Sequence, residues 1–322
     1  MKKILKYNLV FFLAIMGLIT SCSKKETLTP TALVEKYPMT PGENPADIFR
    51  FNFFNKYQTK ILFDFDKKDY WYAMSSTTAS TDSIDNFRFI TDAEQKKRAV
   101  EFLNAQWLLF YPDNLKRLYL PQYIFTVDRL LDYNSTGSAV DSVKYFKTNG
   151  FNNITAAGLG ARFDTMSVIT KNRLRNELNF GFLYHLVYVK NKAFFPQEFY
   201  DVSAVKYNAS PRDSGTTTSF NDYLRLGLLP PDGLVYPGVN YPGTSTSFSK
   251  TRYQNQDEDV AQFIRMITLQ NDAFINNIIN NAYAAKVKQK YNLLVNFFTS
   301  QGIDIRSINT RNIDNLGPLD VY

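Results

Sequence analysis

The segment Lys171 to Lys192, KNRLRNELNFGFLYHLVYVKNK, constrains this chain more than any other stretch. Leu174, Leu178, Gly181, Phe182, His185, Leu186 and Val189 recur at the three- and four-residue spacing that stacks side chains on one helical face. The opposite flank gives no polar surface either, because Phe180, Leu183, Tyr184, Val187 and Tyr188 lie there. A helix apolar nearly all round has to run through the middle of a domain, so the rest of the chain must supply layers on several sides of it. This helix also carries His185, the one histidine of the sequence.

The flanking segments divide by period. Before the helix, Asp47 to Asn55 reads as a short helix and Thr59 to Asp66, TKILFDFD, as a strand that Tyr70 to Ala73 continues. Ser75 to Asn86 is a Ser/Thr/Asp loop, after which Thr91 and Asp92 offer an N-cap to a long helix burying Ala99, Val100, Leu103, Trp107 and Phe110 and stopped by Pro112. Tyr123 to Val127 is a central strand, and Asn153 to Thr170 supplies one or two more. After the helix, Asp201 to Phe248 is mostly turn chemistry, with helices expected over Asp257 to Thr268 and Asp272 to Thr299 and a stop at Gly302.

The first residues stand apart from this pattern. Lys2, Lys3 and Lys6 precede the apolar run LVFFLAIMGLI, and ITSC closes it at Cys22. That is a secretory signal over residues 1–21, too short for a transmembrane helix. The small residue before the cysteine resembles the bacterial lipobox, in which the cysteine is acylated and anchors the chain to the bilayer. Residues 22–42 then form a flexible tether and residues 43–322 a single domain. Ser23 after the cysteine points to an outer-membrane lipoprotein, facing the periplasm or the cell surface. Cys22 is the only cysteine, so an internal disulfide and a cysteine metal cluster are excluded. Loss of the three leader lysines lowers the formal charge from +7 to +4. No basic cluster with interleaved aromatics marks a nucleic-acid groove. With 27 Phe and 21 Tyr, the chain has the material for a large aromatic core.

Most catalytic arrangements are missing from the sequence. There is no G-x-S-x-G elbow, P-loop or dinucleotide fingerprint, and a lone histidine cannot build a two-histidine metal site. Glu177, Glu198, Asp257, Glu258 and Asp259 are the acids available for a histidine-free, glycosidase-like carboxylate site. For His185 two readings stay open: a buried polar aromatic satisfied locally, or a residual ligand-contacting residue in a cleft once used for catalysis.

The order of elements, the lipoprotein start and the phrase FGFLYHLVYVKNKAFFPQEF resemble the zinc-metallohydrolase lipoproteins of Bacteroidetes that are associated with substrate import across the outer membrane. In that family the central helix carries H-E-x-x-H, a YP-x-EF phrase follows, and a later helix resembling N-E-D-F-A-E offers an acidic ligand. With His185 on the second motif histidine, Gly181 takes the place of the first and Phe182 that of the glutamate. The phrase Phe195 to Phe199 then sits two residues late, and without a gap Val187 takes the second histidine's place instead. The later helix keeps Glu258, Asp259 and Ala261, with Gln262 where the last glutamate stands. The resemblance implies an α+β, zincin-like metallopeptidase core with a small mixed sheet, a central buried helix and a helical C-terminal half. It implies a divergent member without the zinc motif, holding no metal or cofactor, and acting as an accessory or binding protein for a glycan or peptide beside an outer-membrane import complex.

Overall fold

The computed structural model describes residues 35–66, 69, 87–130, 132–133, 139–140, 145–147, 153–190, 195–209, 220–230, 253–317 and 319. The chain divides between Pro38 and Met39, and the fold is that of the second unit. The expected leader, most of the tether with Cys22, and the segment Tyr70 to Ala73 lie outside the described residues.

Helix α1 (Pro45–Tyr57) starts on Asn44, whose side chain accepts from the Asp47 amide, with proline at the first helical turn where no amide is needed. Strand β1 (Lys60–Leu62) is shorter than the pattern TKILFDFD suggests. After β2 (Phe87–Phe89) comes α2 (Ala93–Gln106), capped by Asp92 as expected. Pro112 does not end this helix. Gln106 does, a 3-10 turn covers Leu108–Phe110, and Pro112 instead opens α3 (Asp113–Tyr119), which the sequence reading missed.

Strand β3 (Tyr123–Leu130) is the centre of the sheet. One of its edges is shared: β1 pairs parallel with Tyr123 to Phe125, and β2 pairs antiparallel further along, through a bulge at Arg88/Phe89. Two short strands, β4 (Asp132–Tyr133) and β5 (Ala139–Val140), form a separate antiparallel pair. Strand β6 (Phe146–Lys147) lies antiparallel on β7 (Asn153–Ala157), and β7 pairs parallel with the other edge of β3. Ile124 to Asp128 are buried in succession, as in a strand covered on both faces.

A single strand, not two, occupies the stretch from Asn153 to Thr170. Gly158, at φ +85°, turns the chain out of β7 into α4 (Ala161–Thr165). The central helix α5 (Val168–Lys190) then starts earlier than its apolar pattern, because Ser167 Oγ accepts from the Thr170 amide and caps it. Its middle is buried as expected, with Leu174, Leu178, Phe182, Leu183 and Leu186 all fully covered. Its first turn is not: Ile169 is 82% exposed. The helical remainder comprises α6 (Gln197–Asp201), a 3-10 turn at Ala204–Lys206, α7 (Phe220–Leu226), α8 (Gln256–Leu269), α9 (Asp272–Ile279), α10 (Ala285–Ser300) and α11 (Ser307–Thr310). The architecture is α+β, a small mixed sheet ahead of a buried helix and a helical C-terminal half.

Candidate functional site

Helix α5 packs along α8, and a polar clamp sets their relative direction. Near the start of α5, the Arg175 guanidinium donates to the Asn309 carbonyl at 2.9 Å and Asn176 Nδ2 donates to Asn309 Oδ1 at 3.0 Å. Asn309 Nδ2 in turn donates to the carbonyl of Gln270, the C-cap of α8. The beginning of α5 is thus tied to the end of α8. The two run antiparallel, which sets the later turns of α5 beside the first half of α8, the part that carries Glu258, Asp259 and Gln262.

Each motif position has a definite environment. A side chain at Gly181 would place its Cβ 2.3 Å from the Phe146 ring of β6, so the site is already filled from the sheet edge. Phe182 is fully buried and meets Trp107 and Tyr111 edge-on, at ring distances of 5.6 and 4.7 Å. His185 is 4% exposed and its side chain makes no hydrogen bond among the described residues; burial pulls its pKa down to about 4, so at neutral pH it is an uncharged imidazole. Glu258 is the second half of a capping box: its amide donates to Asn255 Oδ1 at 2.8 Å, and its carboxylate accepts from the Asn255 amide at 3.0 Å. Gln262 keeps a buried Oε1 with no hydrogen-bond partner among the described residues. Of the other acids, Glu177 pairs with Arg173 at 2.7 Å and Glu198 is exposed in the first turn of α6.

Asp259 leads to a group that sequence reasoning missed. Its Oδ2 accepts from Tyr207 Oη at 2.6 Å and from Lys290 Nζ, and both charged residues are fully buried. Lys290 Nζ also donates to the Gly227 carbonyl at 3.0 Å and Ser203 Oγ at 3.2 Å, and lies 4.4 Å from the centre of the Phe199 ring. Burial lowers the ammonium and raises the carboxyl, while each charge holds the other. The three protons of an ammonium match this set of oxygens, so the contact is an ion pair. One signal was available: Lys290 occupies the buried stripe of α10 with Val287, Leu294 and Phe298, where a lysine must find a counter-charge.

No protein-family model matches the sequence, and no curated protein matches it. The fold has a structural counterpart in a candidate zinc-binding metallo-peptidase from Bacteroides caccae ATCC 43185, whose crystal structure superposes over 88% of this chain and 98% of its own, with a TM-score of 0.50 and 15% identity. The chain has a zincin-like metallopeptidase fold. That likeness invites a test of the residues against zinc, which needs converging imidazole, thiolate or carboxylate donors. They do not fit. Gly181 has neither a donor nor room for one, Phe182 is apolar and wedged, and Glu258 and Asp259 are engaged elsewhere. Among the described residues, no group of three or more His, Cys, Asp or Glu is placed to hold a metal ion.

Proposed function

We propose that this chain is a membrane-anchored lipoprotein that uses a metallopeptidase-like fold without zinc chemistry, as an accessory or binding protein of a nutrient-import system handling a glycan or peptide. The observation that carries the reading is the filling of the motif positions: Phe146 seals Gly181, and Phe182 is locked against Trp107 and Tyr111. Apolar packing at the place of a ligand and a base is what a descendant without the metal requires, because an unfilled hole would cost stability.

Elemental analysis and thermal melts of the mature domain, with and without a chelator, test this directly. The expected outcome is no stoichiometric zinc and an unchanged melting temperature. About one zinc per chain, with a melting temperature that falls on chelation, defeats the reading. Screening glycans and peptides for a rise in melting temperature tests the binding role, since a ligand that binds only the folded state stabilises it. The substitutions Gly181→His and Phe182→Glu restore the letters of the motif. Together they should lower stability by several kcal/mol (about 3 or more), through the clash with Phe146 and a carboxylate buried against Trp107 and Tyr111, and should not yield zinc binding.

A further inference from the structure

Lys290 Nζ donates to Asp259 Oδ2 where neither side chain has any exposed surface. The rings of Phe199, Phe263 and Tyr207 stand around the nitrogen, with centres 4.4, 5.2 and 5.6 Å from it. Tyr207 Oη touches both partners, donating to Asp259 Oδ2 at 2.6 Å and accepting from Lys290 Nζ at 3.3 Å. The Gly227 carbonyl and Ser203 Oγ also hold Nζ, and Asp259 Oδ1 has no hydrogen-bond partner among the described residues.

An amine and a carboxyl fixed in contact are the two halves of an amide. In water, hydration keeps both groups charged and unreactive toward each other. Here burial pushes the carboxyl up and the ammonium down. Transfer of one proton from Nζ to Oδ2 turns the ion pair, which is the starting state, into a neutral amine and acid and leaves no net charge in the apolar surroundings. A lysine amine desolvated in an apolar pocket is a nucleophile, and its fixed position replaces a bimolecular encounter. The Nζ lone pair forms a bond to Asp259 Cγ. A second Nζ proton passes to Tyr207 Oη while Tyr207 gives its own proton to Oδ2. The Cγ–Oδ2 bond then breaks and Oδ2 departs as water. Oδ1 remains as the amide oxygen, and the last Nζ proton stays on the Gly227 carbonyl. The step consumes no oxidant, cofactor or co-reactant.

We propose that Lys290 and Asp259 become joined by a side-chain amide, a covalent cross-link between α10 and α8 for which Tyr207 is the proton relay. The link closes a loop between residues 31 positions apart in a chain whose single cysteine allows no internal disulfide. It concerns residues apart from Gly181, Phe182 and His185, so its failure leaves the accessory role proposed above standing.

Tryptic digestion of the denatured wild-type protein, read by mass spectrometry, tests the proposal. Residues 253–265 and 289–306, each bounded by cleavable Lys or Arg, should appear as one branched species lighter by one water than the two peptides together, with no cleavage after Lys290. Fragmentation should place the link at Asp259 and Lys290. Lys290→Arg keeps a charge but has no amine nucleophile, and should yield only the separate peptides. Tyr207→Phe leaves the pair in contact without the relay, and should raise the share of unlinked peptides. Complete cleavage after Lys290 in the wild type, with residues 253–265 recovered at full mass, would overturn the cross-link whatever the variants do. A Tyr207→Phe protein linked as fully as the wild type would overturn the relay.

Discussion

Burial deprives His185 of the water that stabilises an imidazolium, and its pKa falls from 6.5 to about 4. The sign of the effect on stability follows from proton counting. Between these values the unfolded chain binds a proton that the folded chain does not, so stability rises with pH across the window. The contribution is complete above the unfolded value of 6.5 and is lost as pH falls toward 4, amounting to about 3 kcal/mol in all. Urea unfolding at about pH 7 and about pH 4 should therefore show a larger acid loss for the wild type than for His185→Gln, by roughly that amount. Identical losses in the two proteins would mean that the imidazole is not held neutral. The Asp259–Lys290 pair differs in kind: both partners are buried and charged, so removing either one strands the other.

At the scale of elements, several helices have local causes that the chain carries openly. Asn44, Asp92, Asn255 and Asn271 each accept from an amide in the first turn of the helix they precede. The C-terminal segment has a different basis. Beyond the short helix α11 the chain has no regular structure, and residues from Asn309 to Asn315 are held by contacts from other elements: Arg175 to the carbonyls of Asn309 and Arg311, and Gln106 Nε2 to the carbonyls of Asn312 and Asn315, both at 3.0 Å. The buried guanidinium is the main fastening, since hydrogen bonds from a charged donor contribute about 1.5–3 kcal/mol. Arg175→Met should accordingly free this segment without unfolding the sheet. Hydrogen exchange should show protection lost over residues 305–315 and kept in β3 and β7. Loss of protection throughout the protein would show that the clamp and the sheet are one cooperative unit.

For the whole molecule, among the described residues no helix is long and apolar enough to cross a membrane, so the proposed attachment to a bilayer rests on Cys22. Cys22→Ala should move the protein from the detergent phase to the aqueous phase on partitioning, and the mass of the wild-type protein should include the lipid; a wild-type chain that partitions into water unmodified would refute the anchor. The sequence by itself determined the buried central helix, the strand at Tyr123 to Val127, the N-cap at Asp92 and the absence of a second histidine, because each depends on residue type and short spacing. It also showed which positions of the zinc motif had changed. It did not show why those changes hold. Phe146, on a two-residue strand, covers Gly181 only because β6 adds to the edge of β7 beside α5, and Lys290 reaches Asp259 only because α10 and α8 meet around Tyr207. Contacts between residues 31 and 35 positions apart carry no periodic signature. Local spacing specifies a helix and its apolar face, but only the packing of one element on another decides which buried charge meets its counter-charge and which ring fills the place of a missing ligand.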